Sequence, residues 1–385
     1  MLIIFITLIL LTSGCGGAPS AELPVGSPEE SKATPPRARG ENPTPAPPTL
    51  HKDGASGISI PTGFNGGVFA SGLSNPTSMA YGPDGHLYVS QQDGEIIALV
   101  DADADGVSDG RRVFASGFNQ PLGLAFRGHD LYVSYRGAVN IVKDTDGDGK
   151  ADARQIIISG LPSGRHQNNG LTFGPDGRLY VTSGSATNAG PEPSPLNATI
   201  LRANPDGSDL AVYARGLRNP YDLAFNDKGE LFATDNGPDP PAFVNAPDEL
   251  NHIVDGGDYG YPKYAGVPPP DSSTKGPVAL FQSYSSSDGI AFYYGDVFPP
   301  EYQGDLFVAQ WGANIRVPGI GKRVVRVKLS PTGGTYRGEV SDFALGFDNP
   351  LDVAVSPKGD LMIADFGSGK IYRIHYTGTA SESRR

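Results

Sequence analysis

One histidine and one oxygen-rich stretch of chain carry most of the chemistry this sequence offers. His166 lies in RHQNNGLTFGPDGRLYVTSG, among polar neighbours. An imidazole held at a polar mouth is a natural general base, because it titrates near neutrality. An ordinary loop hydrogen bond would explain the residue too. The segment TDNGPDPPAFVNAPDELNHIVDGGDYGYP, from Thr234, is the most distinctive in the chain. Asn236-Gly237-Pro238 is expected to end a strand there, with carbonyls free to turn inward. Such carbonyls are hard-oxygen partners for Ca2+. Asp248 and Glu249 follow on a stretch expected to fold back as a loop. Arg218, with Asn219 beside it, is a forked cation suited to a carboxylate.

Two further runs are acidic. They read Asp101-x-Asp103-x-Asp105-Gly106-x-x-Asp109 and Asp144-x-Asp146-x-Asp148-Gly149-x-x-Asp152. Both fit the opening places of a helix-flanked calcium loop, with oxygen at alternate positions and a glycine for the sharp turn. The closing bidentate acid is replaced by Arg112 or Gln155, and no helical pattern flanks either run. The expectation is a weak structural cation without catalytic role. A solvated Asp/Gly turn is the plainer alternative.

These residues need elements to bring them together, and a repeat supplies them. A glycine, often a proline, a short apolar strand, a Gly/Pro/Asp turn and a second strand recur six times. The copies begin near Gly72, Gly117, His166, Gly216, Asp288 and Gly346. Their spacing falls in or above the range of propeller blades and not of helical repeats. Two more strands follow each pair, as in EIIALV and RRVFAS. The fold class is therefore all-β, a six-bladed β-propeller of four-stranded antiparallel blades. The chain near Gly67–Ser71 and the C-terminal KIYRIHY are expected to share the last blade.

In such a blade the innermost strand runs down from one face and the second returns to it. Residues before the first and after the second strand then meet at one mouth. This places His166, Gln167, Arg218, Asn219, Asn119 and Gln120 opposite Gln91, Ser185, Asn236, Gly237, Gln310 and Asp365. Each is explicable singly as a polar loop residue; their convergence is the functional signal. The acidic runs fall between third and fourth strands, away from that mouth.

The 385 residues, 38% of them hydrophobic, suffice for one large domain. A net charge of −12 argues against a nucleic-acid surface. The N-terminal LIIFITLILLTSG reads as a targeting segment. It resembles a bacterial lipoprotein signal peptide, over residues 1–15, with the sole cysteine, Cys15, as lipidation site. Residues 16–57 are rich in Pro, Ser, Ala, Glu and Gly and read as a disordered tether. The propeller would span 58–378, with a polar tail over 379–385. The expected location is extracytoplasmic, anchored to a membrane by lipid.

RHQNNGLTFGPDGRLYVTSG, GLRNPYDLAF and NGPDPPAFVNAPDELNHIVDGGDYGYP resemble the soluble pyrroloquinoline-quinone (PQQ)-dependent glucose/sorbosone dehydrogenase family. The resemblance extends over roughly 59–376. It implies PQQ and Ca2+ at the top of a six-bladed propeller. A histidine there takes a hydroxyl proton while hydride passes to the quinone. By resemblance His166 is that base, and Arg218 and Asn219 contact the quinone. The carbonyls of Gly237 and Pro238 bind calcium, Asp248 is a carboxylate near cofactor and metal, and Asn236 replaces a glutamine. Ser185 stands where the glucose enzymes carry an acid that orients the histidine. Asn349 and Leu351 stand where they carry arginines; Lys322 and Arg323 are candidates to compensate. The implied substrate is a sugar, sugar aldehyde or polyol, with an external electron acceptor. Two rival readings are a calcium-dependent lactonase-type hydrolase and a non-catalytic propeller that binds a glycan or protein.

Overall fold

The computed structural model describes residues 48–313 and 320–378. Six sheets, each built on a four-stranded antiparallel blade, are arranged as a β-propeller. The first blade uses strands Pro76–Tyr81, Leu87–Gln91, Ile96–Val100 and Gly110–Ala115 in spatial order from the axis outward. The inner strands of the others are Pro121–Arg127, Asn168–Phe173, Pro220–Phe225, Ser287–Phe292 and Pro350–Val355. Each packs against the next, and the last against the first. Among the described residues the only helix is a single 3-10 turn, Pro300–Tyr302.

The ring closes as the sequence predicts. The early strand Phe64–Ala70 pairs antiparallel with the C-terminal strand Lys370–Tyr376 and completes the sixth blade. Closure of this kind ties the two ends of the ring together through one sheet and leaves only short strand edges at the rim. One boundary moves. Leu50–Lys52, expected within the tether, pairs with Ser59–Pro61, which in turn joins the outer strand of blade 5. Ordered chain thus begins before residue 58. The expected signal segment, Cys15, most of the tether and the 379–385 tail lie outside the described residues.

The repeated phrase is also a repeated set of bonds. In the turn between the first two strands, Asp84 Oδ1 accepts the His86 amide and Asp84 Oδ2 accepts the Tyr88 hydroxyl. Asp176 does the same with Arg178 and Tyr180. The glycine closing this turn has φ of +81° at Gly85 and +73° at Gly177, a backbone that glycine adopts without steric cost. Apolar residues of each blade then pack against the next. Between blades 5 and 6, for example, Phe64, Phe298, Phe307 and Phe343 form an edge-to-face cluster.

All six inner strands slip register near their mouth end, between Pro76 and Ser78, Pro121 and Gly123, Asn168 and Leu171, Pro220 and Leu223, Ser287 and Ile290, and Pro350 and Asp352. A β-bulge re-aims a side chain and frees backbone groups. Here the freed groups join adjacent blades. Thr77 Oγ1 donates to Pro121 O at 2.7 Å, Asn169 Nδ2 to Pro220 O at 3.1 Å, and Asn349 Nδ2 to Trp311 O at 2.9 Å. Asp222 accepts the Ile290 amide at 3.1 Å, and Asp352 the Met79 amide at 2.6 Å. The approach is close: a Cβ added at Gly170 would stand 2.3 Å from Asp222 Oδ1, so alanine there would force the ring apart.

Candidate active site at the propeller mouth

The loops before the inner strands and after the second strands do meet at one end. Two connected cavities, of about 510 and 240 Å³, open there. They share Arg165, His166, Asn219, Tyr221 and Leu351. The larger one, over blades 4 and 5, adds Arg218, Asn236, Gly237 and Asp248. Of the residues singled out in the sequence, His166, Arg218, Asn219, Asn236, Gly237 and Asp248 therefore line one space, and Gln120 lines the smaller cavity.

His166 is placed by its backbone. Its amide donates to Ser185 O at 3.0 Å, and Gly164 N donates to His166 O at 2.8 Å. Its Nε2 is buried and has no hydrogen-bond partner among the described residues. Burial lowers the imidazole pKa to about 3, and the guanidinium groups of Arg218 and Arg165 push in the same direction. The ring is therefore neutral across ordinary pH, with one buried, unpaired nitrogen. Ser185 does not orient it: its Oγ donates to Thr187 O at 2.7 Å.

Arg218 is 4% exposed and makes four side-chain hydrogen bonds. Three go to Asn188 O, Asn188 Oδ1 and Asn236 O; the fourth, at 3.0 Å, is an ion pair with Asp239. Its backbone is fixed as firmly. Asp235, at the end of the second strand, accepts the amides of Arg218 and Asn219 at 2.9 and 2.6 Å. Asn219 Oδ1 in turn accepts Asn169 Nδ2 at 3.0 Å.

On the other side, Asp248 holds the Asn236–Pro238 turn. It accepts Gly237 N at 3.0 Å, Ser285 Oγ at 2.9 Å and Ser287 N at 3.1 Å. Burial raises its carboxyl to about 6 despite these bonds. Asn236 Nδ2 reaches blade 5, at Ser287 O and Asp288 Oδ1. Asp288 is buried, lines the same cavity, and burial pushes its pKa well up. Among the described residues the carbonyls of Gly237 and Pro238 accept no hydrogen bond. Two buried carboxyl groups and free carbonyl oxygens are a donor set that suits a hard cation.

Other expectations give way. Glu249 does not fold back over the mouth: it begins the third strand, Glu249–Ile253, and its carboxylate accepts Gly266 N and Asn251 Nδ2. Gln91, Gln310 and Asp365 turn away from the cavity to serve loops. Gln91 accepts Ser74 N, Asp365 accepts the amides of Asp348 and Asn349, and Gln310 bonds Ser287 and Arg323. Loop amides claim Gln91 and Asp365 as acceptors, and Gln310 is claimed by a hydroxyl and a guanidinium. Lys322 and Arg323 do not line the mouth. Lys322 pairs with Asp348 at 3.3 Å, and Arg323 with Asp342 at 2.9 Å. Pro238 borders the site only through its neighbours. Conversely, Arg165, Arg136, Tyr221, Asp239, Asp288 and Trp311 line it unforeseen. Tyr221, Asp288 and Leu351 occupy the bulges. Their signal was present: Tyr221 and Leu351 each follow the proline of the repeated phrase.

The acidic runs join third to fourth strands, as expected. Carboxylate oxygens of Asp101, Asp103 and Asp109 lie within 4.8 Å of one another, as do those of Asp144, Asp146 and Asp148. Asp105 and Asp152 stand outside these clusters: Asp105 accepts Val107 N, and Asp152 accepts the Thr145 amide and hydroxyl.

Residues 51–376 match the family model described as a domain of unknown function, DUF7133. The chain belongs to that family. An uncharacterized protein of Borreliella burgdorferi is 23% identical over 356 residues, covering 83% of this chain and 91% of that protein. Quinoprotein glucose dehydrogenase B of Acinetobacter calcoaceticus is 28% identical over 263 residues, 53% of each chain. A solved putative oxidoreductase (glucose dehydrogenase) of Thermus thermophilus is 25% identical with a TM-score of 0.65, covering 81% of this chain and all of that one. The DUF7133 chain is thus related to sugar dehydrogenases.

Proposed function

We propose that the mouth oxidises a sugar, sugar aldehyde or polyol, with PQQ as hydride acceptor, Ca2+ beside it and His166 as base. The observation that carries this reading is the unpartnered, neutral Nε2 of His166, held in the same cavity as Arg218, Asn219, Gly237 and Asp248.

The residues present fit both groups on one side of the mouth. Asp248, Asp288 and the carbonyls of Gly237 and Pro238 would hold the cation. Arg218, Asn219 and Asn169 would meet the polar edge of a planar anionic cofactor, and Tyr221 and Leu351 would form its floor. Among the described residues that line the mouth, the blade 6 side offers no cation: Asn349 bonds Trp311 O, and Leu351 is apolar. Bound PQQ supplies the two-electron acceptor. The chain's own part is to hold the substrate hydroxyl against His166 Nε2, which takes the proton. A neutral imidazole is competent for that at neutral pH. Its basicity rises as the charge of Arg165 and Arg218 is offset by bound anions.

Reconstitution with PQQ and Ca2+, followed by absorbance and by dye-linked sugar oxidation, tests the reading. His166→Ala should lower turnover at least 100-fold and leave the thermal melt unchanged. Turnover that survives this substitution would remove His166 from the mechanism. A second reading, metal-assisted hydrolysis of a lactone, draws support from Asp248 and Asp288 together in the cavity. Calcium-dependent lactone hydrolysis without quinone would favour it. We further propose that Cys15 anchors the protein outside the cytoplasm. Fatty-acid labelling that persists in Cys15→Ala would refute this.

A further inference from the structure

The two halves of the mouth differ in charge. The larger half contains Asp239, Asp248 and Asp288. The smaller half, over blades 1 to 3, has no acid among its described lining residues; its charged members are Arg136 and Arg165. His166 stands on the border, lining both. This occurs in a chain of net charge −12.

Both guanidinium groups are held in place and left under-neutralised. Arg136 follows the second strand of blade 2, and two of its nitrogens share one partner, Gln120 Oε1, at 3.0 and 2.5 Å. That partner is neutral, and Arg136 forms no ion pair among the described residues. Its other edge is open. Arg165 pairs with Asp239 at 2.6 Å, but Asp239 is shared with Arg218, so one carboxylate serves two cations. The positive field is felt at His166, whose charged form Arg218 and Arg165 both disfavour.

We propose that Arg136 and Arg165 form a carboxylate-binding subsite, so that the substrate is a sugar acid, a uronate-like molecule, and not a neutral sugar. The proposal rests on the oxidoreductase reading of this mouth. An Arg–carboxylate contact is strong and directional, and two exposed forks flanking a base would orient the reacting hydroxyl toward it. Exposure decides between substrate and cofactor. A resident cofactor lies on buried groups such as Arg218 and Asn219; a ligand that arrives and leaves meets rim cations. The incoming carboxylate also offsets the field that weakens the base, a role the glucose-enzyme acid at the place of Ser185 would otherwise fill.

Titration of the protein with D-glucuronate and with D-glucose tests this, both alone and with Ca2+ and PQQ added, at low ionic strength. Glucuronate should bind about tenfold or more tighter in at least one state, and added salt should erode the preference. Arg136→Gln should abolish most of it, and Arg165→Gln should reduce it, with unchanged melts. Equal binding of the two sugars, or a preference untouched by Arg136→Gln, overturns the proposal. So does an Arg136→Gln variant whose PQQ affinity falls as far as its glucuronate affinity, since the subsite would then belong to the cofactor. Glucose oxidation with PQQ but no glucuronate preference would sink this inference alone. Glucuronate binding without any quinone-dependent oxidation would sink the oxidoreductase reading and leave the subsite standing.

Discussion

Blades 4 and 6 are built alike and charged differently. In blade 4, Asp235 accepts two amides in the loop before the inner strand, those of Arg218 and Asn219. In blade 6, Asp365 accepts the amides of Asp348 and Asn349 with nearly the same distances, 2.9 and 2.6 Å. Asp222 and Asp352 then occupy the same bulge and each bonds the next blade's backbone. The scaffold is common, yet the first side chain it presents is a buried arginine in one blade and an exposed aspartate in the other. The third strands extend the contrast, with Glu249 opposite Asp235 and Lys370 opposite Asp365. The propeller repeat thus fixes where a loop stands; single residues decide what it can bind.

The largest effect should come from the residue that differs most. Arg218→Leu strands the carbonyl oxygens of Asn188 and Asn236, leaves Asp239 to Arg165 alone, and removes a cation from the cavity. PQQ affinity, read by absorbance titration, should fall about 100-fold or more. Asp348→Ala, at the matching place, should leave it unchanged. Equal losses in the two variants would end the contrast between the blades. Next come the shared supports. Asp235→Ala and Asp365→Ala each leave two amides without acceptors and should each cost about 2–4 kcal/mol in urea unfolding. A tolerated Asp365→Ala would show that the two loops are not held by the same device.

The propeller was legible because its phrase repeats in chemistry as well as in hydropathy. The Asp–Tyr bond of the inner turn recurs at Asp84 and Asp176, so local sequence and blade geometry agree. Strand direction alone was enough to bring His166, Arg218, Asn219, Asn236 and Gly237 together. It failed for Gln91, Gln310 and Asp365, because strand direction says which end a side chain is at and not whether a neighbouring amide or side chain claims it. It failed too for Tyr221, Asp288 and Leu351. Simple alternation along a strand sends each side chain to a face, and the bulge adds one residue and turns them to the axis. Leu50–Lys52 was missed because three mostly polar residues carry no pattern of their own; pairing with Ser59–Pro61 supplies the order.

A pH effect should also mark the turn that Asp248 holds. Asp248 has Gly369 as its counterpart in blade 6, so only blade 4 of the two carries a buried acid at this place, although burial also raises Asp352 elsewhere in blade 6. Burial lifts Asp248 from 3.8 to about 6. Between those values the folded chain keeps a proton that the unfolded chain has released. Stability therefore falls as pH rises from about 4 to 6, then levels off, by on the order of 3 kcal/mol for this group. Asp248→Asn should reduce that slope in urea melts. Ca2+ should restore stability above pH 6 in the parent and not in the variant. A slope unchanged in Asp248→Asn would assign it to other acids.

The smallest effect belongs to the exposed ion pair beside blade 6. Lys322 and Asp348 are 3.3 Å apart with side chains 52% and 56% exposed. An exposed pair of this kind contributes roughly 0–1 kcal/mol, because water screens it and two long side chains must be ordered to make it. Lys322→Gln should therefore shift urea unfolding by less than about 1 kcal/mol and leave PQQ affinity as it was. The second measurement is the sharper one. Lys322 Nζ pairs with an acid outside the cavity, so its charge is already spent where no cofactor reaches. A fall in PQQ affinity in Lys322→Gln would mean that the lysine swings into the mouth when the quinone binds. Blade 6 would then share the cofactor's charge with blade 4, and the asymmetry between them would be a property of the empty cavity alone.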